Sequence, residues 1–315
     1  MRGMMLMGLL LMGASVAAQD NTNKGPATVS YGGQRVSLLT NTLQVRHVAP
    51  LQGVQGEGYQ GMEVYGDTLL SAQNSGWLSV YTYDGNTLTQ RVKPYRMACY
   101  DKVNHCNVMS FSNHRYAPQD PLPLLYVSQC ARQPWQGMKD VLFVERLDSA
   151  LDATHTVQVI YFRDDNHLFG YALQWVIDRE NDMLYGYGNT VNNTDKANRH
   201  RIVKFRLPAP DEGIDGIVTL TENDLLENYL LEETYNRPFM PIGQGLFIRN
   251  GQLFMPTGVG SDKQPSVLYV WNLETHSMQN VIDLRHATFS ELEDCAAWRD
   301  ALLLQGQGHL FRLVF

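Results

Sequence analysis

Apolar and polar residues alternate along most of this chain in short runs, separated by turn signals such as Asp84, Gly85 and Asn86 or Asn250 and Gly251. A period of two predicts half-buried β-strands joined by tight turns, and little helix. One outline recurs. It starts at Gln60, Gln174, Gln244 and Glu293, and in each copy a turn pair follows six residues later: Gly66 and Asp67, Glu180 and Asn181, Asn250 and Gly251, Arg299 and Asp300. An apolar pair begins three residues after the turn starts, and a more divergent copy covers residues 105–125. Each copy reads as two strands that cannot bury an apolar face alone and must stack on a neighbouring unit.

The flanking strands extend the copies into units of four. The expected strands are 61–65, 68–72, 77–83 and 88–95; then 107–111, 124–128, 141–147 and 156–162; then 173–177, 183–187, 201–207 and 217–220; then 245–248, 253–256, 267–273 and 278–284. A last unit has only 295–298, 302–304 and 310–315, and residues 43–48 form a strand with no neighbour close in sequence. A ring of sheets must close without a free edge. The expectation is therefore an all-β, five-bladed propeller, closed by the N-terminal strand completing the last blade, over residues 42–315. A six-bladed ring and an open solenoid are the alternatives. Between the third and fourth units, residues 222–235 read as a helix, with Thr221 and Asp224 as a capping box.

Before the repeats, residues 1–18 carry a basic start, an apolar run and small residues around Val16 and Ala18. This is the pattern of a signal peptide cleaved near Ala18, which places the protein in the periplasm or outside the cell. No later stretch is apolar enough for a membrane span. Residues 19–41 are polar and read as a flexible leader. The net charge is −7, with no Lys/Arg cluster, so nucleic acid is not an expected partner.

Most turns after the inner strands are short, whereas residues 129–139, 163–170, 188–200 and 258–265, and the expected helix with its tail to residue 243, form long segments on the opposite face, where the inner strands start. Long loops on a rigid scaffold are where binding concentrates. Gln60, Gln174, Gln244 and Glu293 open at that face, joined in the second blade by His105 and Asn107, with Trp175, Trp135 and Tyr59 for apolar contact. The expected ligand is a small molecule, glycan or peptide, bound without cofactor or metal. An envelope protein is an alternative partner.

For catalysis the candidates are Glu293 and His105; Glu57, Glu63, Glu291 and Asp294 are further carboxylates near the mouth. A glycosidase would need two of them paired across a substrate. Four cysteines in an exported chain suggest a bridge among Cys99, Cys106 and Cys130, with Cys295 a buried thiol. The spacing of His105 and these cysteines matches no standard zinc pattern, and Asp211 to Gly216 lacks the alternating ligands of a calcium loop.

The stretches Tyr59-Gln60-Gly61-Met62-Glu63-Val64-Tyr65-Gly66-Asp67 and Phe289-Ser290-Glu291-Leu292-Glu293-Asp294 resemble two signatures of the propeller-type glutaminyl cyclotransferases. That resemblance implies five blades and cyclisation of N-terminal glutamine. The family carries a Glu-Ser-Thr-Gly-like run after its second strand, where this chain has Gln73-Asn74-Ser75-Gly76, and a Gln cannot transfer a proton as a carboxylate does. Around His105-Cys106-Asn107, Pro123-Leu124-Leu125-Tyr126-Val127-Ser128 and Lys204-Phe205-Arg206-Leu207-Pro208, the chain is similar to uncharacterised secreted bacterial propeller proteins. This implies fold and export.

Overall fold

The computed structural model describes residues 27–31, 34–38, 44–131, 133–237, 239, 242–285 and 291–314. The stretch read as a signal peptide lies outside them. Within the expected leader, β1 (Ala27–Tyr31) and β2 (Gln34–Leu38) pair as an antiparallel hairpin. β3 (Gln44–Pro50) follows.

Four blades then succeed one another. The first is β4 (Tyr59–Tyr65), β5 (Thr68–Gln73), β6 (Trp77–Tyr83) and β7 (Leu88–Arg96). The second is β8 (Val108–Phe111), β9 (Leu125–Ser128), β10 (Leu142–Leu147) and β11 (Thr154–Phe162). The third starts with β12 (Tyr171–Asp178), β13 (Met183–Asn189) and β14 (His200–Arg206). After β15 (Ile217–Leu220) and β16 (Glu227–Leu230), the fourth comprises β17 (Phe247–Arg249), β18 (Gln252–Thr257), β19 (Val267–Asn272) and β20 (Ser277–Asp283). In the fifth, β21 (Asp294–Trp298), β22 (Ala301–Gly306) and β23 (His309–Val314) are joined by β3, antiparallel to β23.

The closure by an N-terminal strand therefore holds. Inner strands β4, β8, β12, β17 and β21 each contact the next, and β21 returns to β4, which completes a ring of five and excludes the six-bladed and solenoid alternatives. Asn250 and Gly251 both adopt positive φ, as the tight turn between β17 and β18 requires.

Two expectations fail between blades three and four. Residues 222–235 are not a helix: Thr221 and Asp224 form the capping box, but it holds only a 3-10 turn, Glu222–Asp224, and the chain then extends as β16. β14 needs an outer partner, and β16 supplies it while burying Tyr229, which stacks on His276 and approaches the Trp271 indole. Packing overrides the local helical pattern. Residues 217–220 were expected to be that outer strand; instead β15 lies parallel to β11 and adds a fifth strand to blade two.

Apolar faces of adjacent blades make the core. Met62, Leu69 and Tyr81 of blade one pack with Cys295, Leu303 and Phe311 of blade five, and Leu124, Tyr126 and Val144 of blade two pack with Trp175, Leu184 and Phe205 of blade three. Near the axis, polar side chains tie one inner strand to the next. Asp294 Oδ2 accepts the Met62 N–H (2.8 Å), Glu63 Oε2 accepts the Phe111 N–H (3.1 Å) and Ser110 Oγ accepts the Ile177 N–H (3.3 Å). Backbone donors with no partner inside their own blade are thus satisfied from the neighbouring blade.

Candidate functional site

On the face where the inner strands start, blades two, three and four surround a cleft of about 530 Å3. Its centre is Gln244, at the entry to β17. The Gln244 carbonyl accepts from Asn107 Nδ2 (3.0 Å) and from Gln174 Nε2 (2.9 Å), while its own Nε2 donates to Glu291 Oε1 (2.6 Å) and to the Gly258 carbonyl (2.8 Å). Blades two, three and four and the segment leading into blade five are joined through one residue. Asn107, Gln174, Gln244 and Glu291 all line the cleft.

These bonds use the amide nitrogens of Asn107 and Gln174 and leave the oxygens. Asn107 Oδ1, Gln174 Oε1 and the Tyr187 hydroxyl are buried without a hydrogen-bond partner. A buried acceptor left unmade costs about 1–3 kcal/mol, so such groups normally meet a partner. The walls come from Tyr171 at the start of β12 and from the long loops, Lys139, Asn192 and Asn193, with Ile242 and Gly243 from the segment before blade four.

His105 stands between this cleft and an adjoining depression of about 510 Å3 that also touches Asn74, Lys102 and Gln133. Its Nδ1 lies 2.7 Å from Asn74 Oδ1. Burial pushes the imidazole below its ordinary range, so the ring is neutral at pH 7, donates to Asn74 and keeps Nε2 as an acceptor.

Several expected members lie elsewhere. Trp175 does not line the cleft: it is 1% exposed, packed between blades two and three, with its indole N–H donating to the Asp140 carbonyl (2.6 Å). Gln60 is buried and does not line the cleft; its carbonyl is held by Gln305 Nε2 (2.6 Å) in the seam between blades five and one. Trp135 stands edge-on to Phe143, and the Tyr59 hydroxyl donates to the Leu51 carbonyl. The aromatic residues lining the cleft are Tyr171 and Tyr187, the latter 3% exposed and stacked on His200; the only sequence signal for them was their position beside the Asn-rich loop at 189–198 and the loop ending at 170.

The carboxylates divide in the same way. Glu63 and Asp294 are interblade ties, each accepting backbone N–H groups through both oxygens. Burial lifts Glu63 to about 7 and pushes Asp294 well above the carboxylate range. Glu293 is 8% exposed, does not line the cleft and is raised to about 9, by burial first and by the Glu291 charge second. It holds a proton in the folded state that the unfolded chain releases, so its contribution is fully present below the unfolded value and is lost as pH rises through about 9. Glu293→Gln should therefore raise the unfolding midpoint relative to wild type by a margin that grows between about pH 5 and pH 9. Thermal melts across that range check this, and a margin independent of pH would refute it.

Gln73, at the position where the cyclotransferase pattern has Glu, clasps a loop. Its Oε1 accepts the Val54 N–H (2.7 Å) and its Nε2 donates to the carbonyls of Val54 and Glu57. The expected bridge among Cys99, Cys106 and Cys130 does not form; these three and Cys295 are free thiols. Cys99 lies instead against the buried Glu145 carboxyl, and Cys106 is sealed in the same interblade core. Among the described residues, no three His, Cys, Asp or Glu side chains gather as metal ligands, and no helix is long and apolar enough to cross a membrane.

No protein-family model matches the chain, and no curated protein does. Among solved structures, the chain is similar to Myxococcus xanthus glutaminyl cyclase at 12% identity and a TM-score of 0.45, over 86% of this chain and 96% of that one. It is similar to a protein of unknown function from Bacteroides thetaiotaomicron at 10% and 0.46, over 90% and 79% of the two chains. A glucose dehydrogenase matches at 10% and 0.46, over 86% and 99%. Likenesses this distant assign no activity, and what the chain itself establishes is an all-β protein of five four- or five-stranded blades closed by its own N-terminal strand.

Proposed function

We propose that the protein binds a small polar ligand, of glycan or peptide class, in the cleft centred on Gln244, and that it does so without catalysis. One observation carries the reading: Asn107 and Gln174 spend their amide N–H groups on one carbonyl and keep buried, unpartnered oxygens in residues that line the same cleft. Such acceptors select a ligand rich in O–H or N–H donors, and Tyr171 adds ring surface of the kind sugars and peptide side chains pack on. Of the candidate carboxylates, Glu291 lines the cleft, with Oε1 accepting from Gln244 Nε2. Glu63 and Asp294 are spent on backbone, and Glu57 and Glu293 do not line the cleft. Glu291 therefore lacks the second carboxylate a hydrolase would pair with it, which favours binding over turnover. In the same reading residues 1–18 export the chain, so the ligand is met outside the cytoplasm.

Glycan and peptide arrays probed with wild type, Gln174→Ala and Asn193→Ala test it. Wild type is expected to retain a defined set of ligands, with Gln174→Ala weakening them about tenfold, the worth of one or two hydrogen bonds. Arg179→Ala, on the opposite face, should leave them unchanged. Empty arrays, or binding indifferent to both cleft variants, would reject the placement.

A further inference from the structure

The opposite face carries a second feature that the cleft does not explain. There the turns leaving the inner strands of blades one, three, four and five surround a depression of about 320 Å3. Three of its lining residues are arginines from consecutive blades: Arg179, Arg249 and Arg299. The chain as a whole has a net charge of −7 and no basic run, so three guanidinium groups around one depression are a local reversal of sign.

The two carboxylates on the rim are already committed. Asp67 Oδ1 accepts from the Trp298 indole N–H (3.2 Å) and from Arg299 Nη2 (3.3 Å), and Glu180 Oε2 accepts the Asn250 N–H (3.0 Å). A third, Glu63, has its oxygens on the Val64 and Phe111 N–H groups. Two arginines are held in place: Arg249 Nη1 donates to the Arg299 carbonyl, and the Arg299 guanidinium lies 4.3 Å from the Trp298 ring centroid. The Arg179 guanidinium has no hydrogen bond or ion pair among the described residues, although its carbonyl is fixed by Asn113. Most of the N–H donors of the three groups are therefore unspent, and each arginine presents a planar fork that matches two oxygens of a tetrahedral anion.

From this geometry we infer that the depression is an oxyanion site, taking a phosphoryl group or free phosphate between Arg179, Arg249 and Arg299. Asp67 and Glu180 offset part of the positive charge of the three guanidinium groups; a dianion offsets the rest and can meet all three forks. The inference is independent of the cleft, because the two sites share no lining residue.

Calorimetric titration at constant ionic strength tests it, with inorganic phosphate in one arm, a phosphomonoester such as glycerol phosphate in the second and chloride as control. Phosphate or the ester should bind where chloride does not and should raise the unfolding midpoint. Arg179→Ala should weaken binding about tenfold, as expected for a lost charge-assisted contact, with Arg179→Lys recovering part of it. The Arg179 charge also attracts the buried Glu63 carboxyl, so ligand-free melts of each variant separate a loss of binding from a loss of folding, and Arg249→Ala provides a second loss. Tighter binding of the ester marks a phosphorylated molecule as the natural ligand; equal binding marks the free ion. Failure of both anions to bind, or affinity unchanged in both arginine variants, overturns the site whatever the cleft binds.

Discussion

Removing residues 1–50, and β3 with them, is expected to abolish cooperative thermal unfolding. β3 pairs with β23 along its length, from His309 opposite Pro50 to Val314 opposite Gln44. Without it β23 becomes a free edge, and the seam that buries Leu310, Phe311 and Leu313 opens. The lost backbone bonds alone, at about 1 kcal/mol net each, come to roughly 5 kcal/mol, which approaches the whole stability of about 5–15 kcal/mol typical of a folded domain. Calorimetry of the shortened chain should show no sharp transition, and a synthetic peptide covering residues 41–52 should restore one by strand addition. A truncated protein that melts cooperatively near the wild-type midpoint would show that the ring does not depend on its N-terminal strand.

Asp294→Ala is expected to be the most damaging single substitution near the axis. Its two oxygens satisfy the N–H groups of Met62 and Cys295, both inside the seam between blades five and one. Truncation leaves two buried donors unpaired, each worth about 1–3 kcal/mol, so a loss of roughly 4 kcal/mol should appear in denaturant unfolding. Asp294→Asn keeps one carbonyl-type acceptor and should lose about half as much. The backbone of blade four is fitted to this carboxyl: a Cβ on Gly245 would lie 2.1 Å from Asp294 Oδ1 and 2.7 Å from its Cα, a clash no rotamer change relieves. Near-wild-type stability of Asp294→Ala would show that the seam does not need the tie.

How much of this was legible in the sequence follows from what each residue depends on. The inner pairs of strands were readable because alternation, a tight turn and an apolar pair are local properties, repeated with fixed spacing. The closure was readable because one unit lacked a strand and one strand lacked a unit. Residues 222–235 misled because their capping box is real but short, and a vacant position beside β14 decided the rest. β15 misled because a strand can join the blade behind it, in parallel, as easily as the one in progress.

At the candidate site, Asn107, Gln174 and Gln244 were legible as inner-strand entries, and all three line the cleft. Gln60 has the same place in the repeat, yet Gln305, reaching across from blade five, holds its carbonyl in the seam. Repetition therefore locates a residue along the axis without saying what the next blade asks of it. Trp175 shows the same limit: beside a polar residue bound for the cleft, its ring turns the other way into the core, as strand alternation requires. The committed roles of Gln73, Glu63 and Asp294 depend on partners distant in sequence, and no local pattern records them.

Ring closure gathers Asn107, Gln174 and Gln244 into one cleft at the face where the inner strands start, the place proposed for the ligand. Amide hydrogen exchange with and without the tightest array ligand tests it most directly, because protection reports where backbone opening is suppressed. The expected result is new protection at residues 129–139, 189–200 and 242–245, with the turns at 66–68, 179–182, 249–252 and 298–301 unchanged. Protection confined to those turns, or to the outer strands, would contradict it.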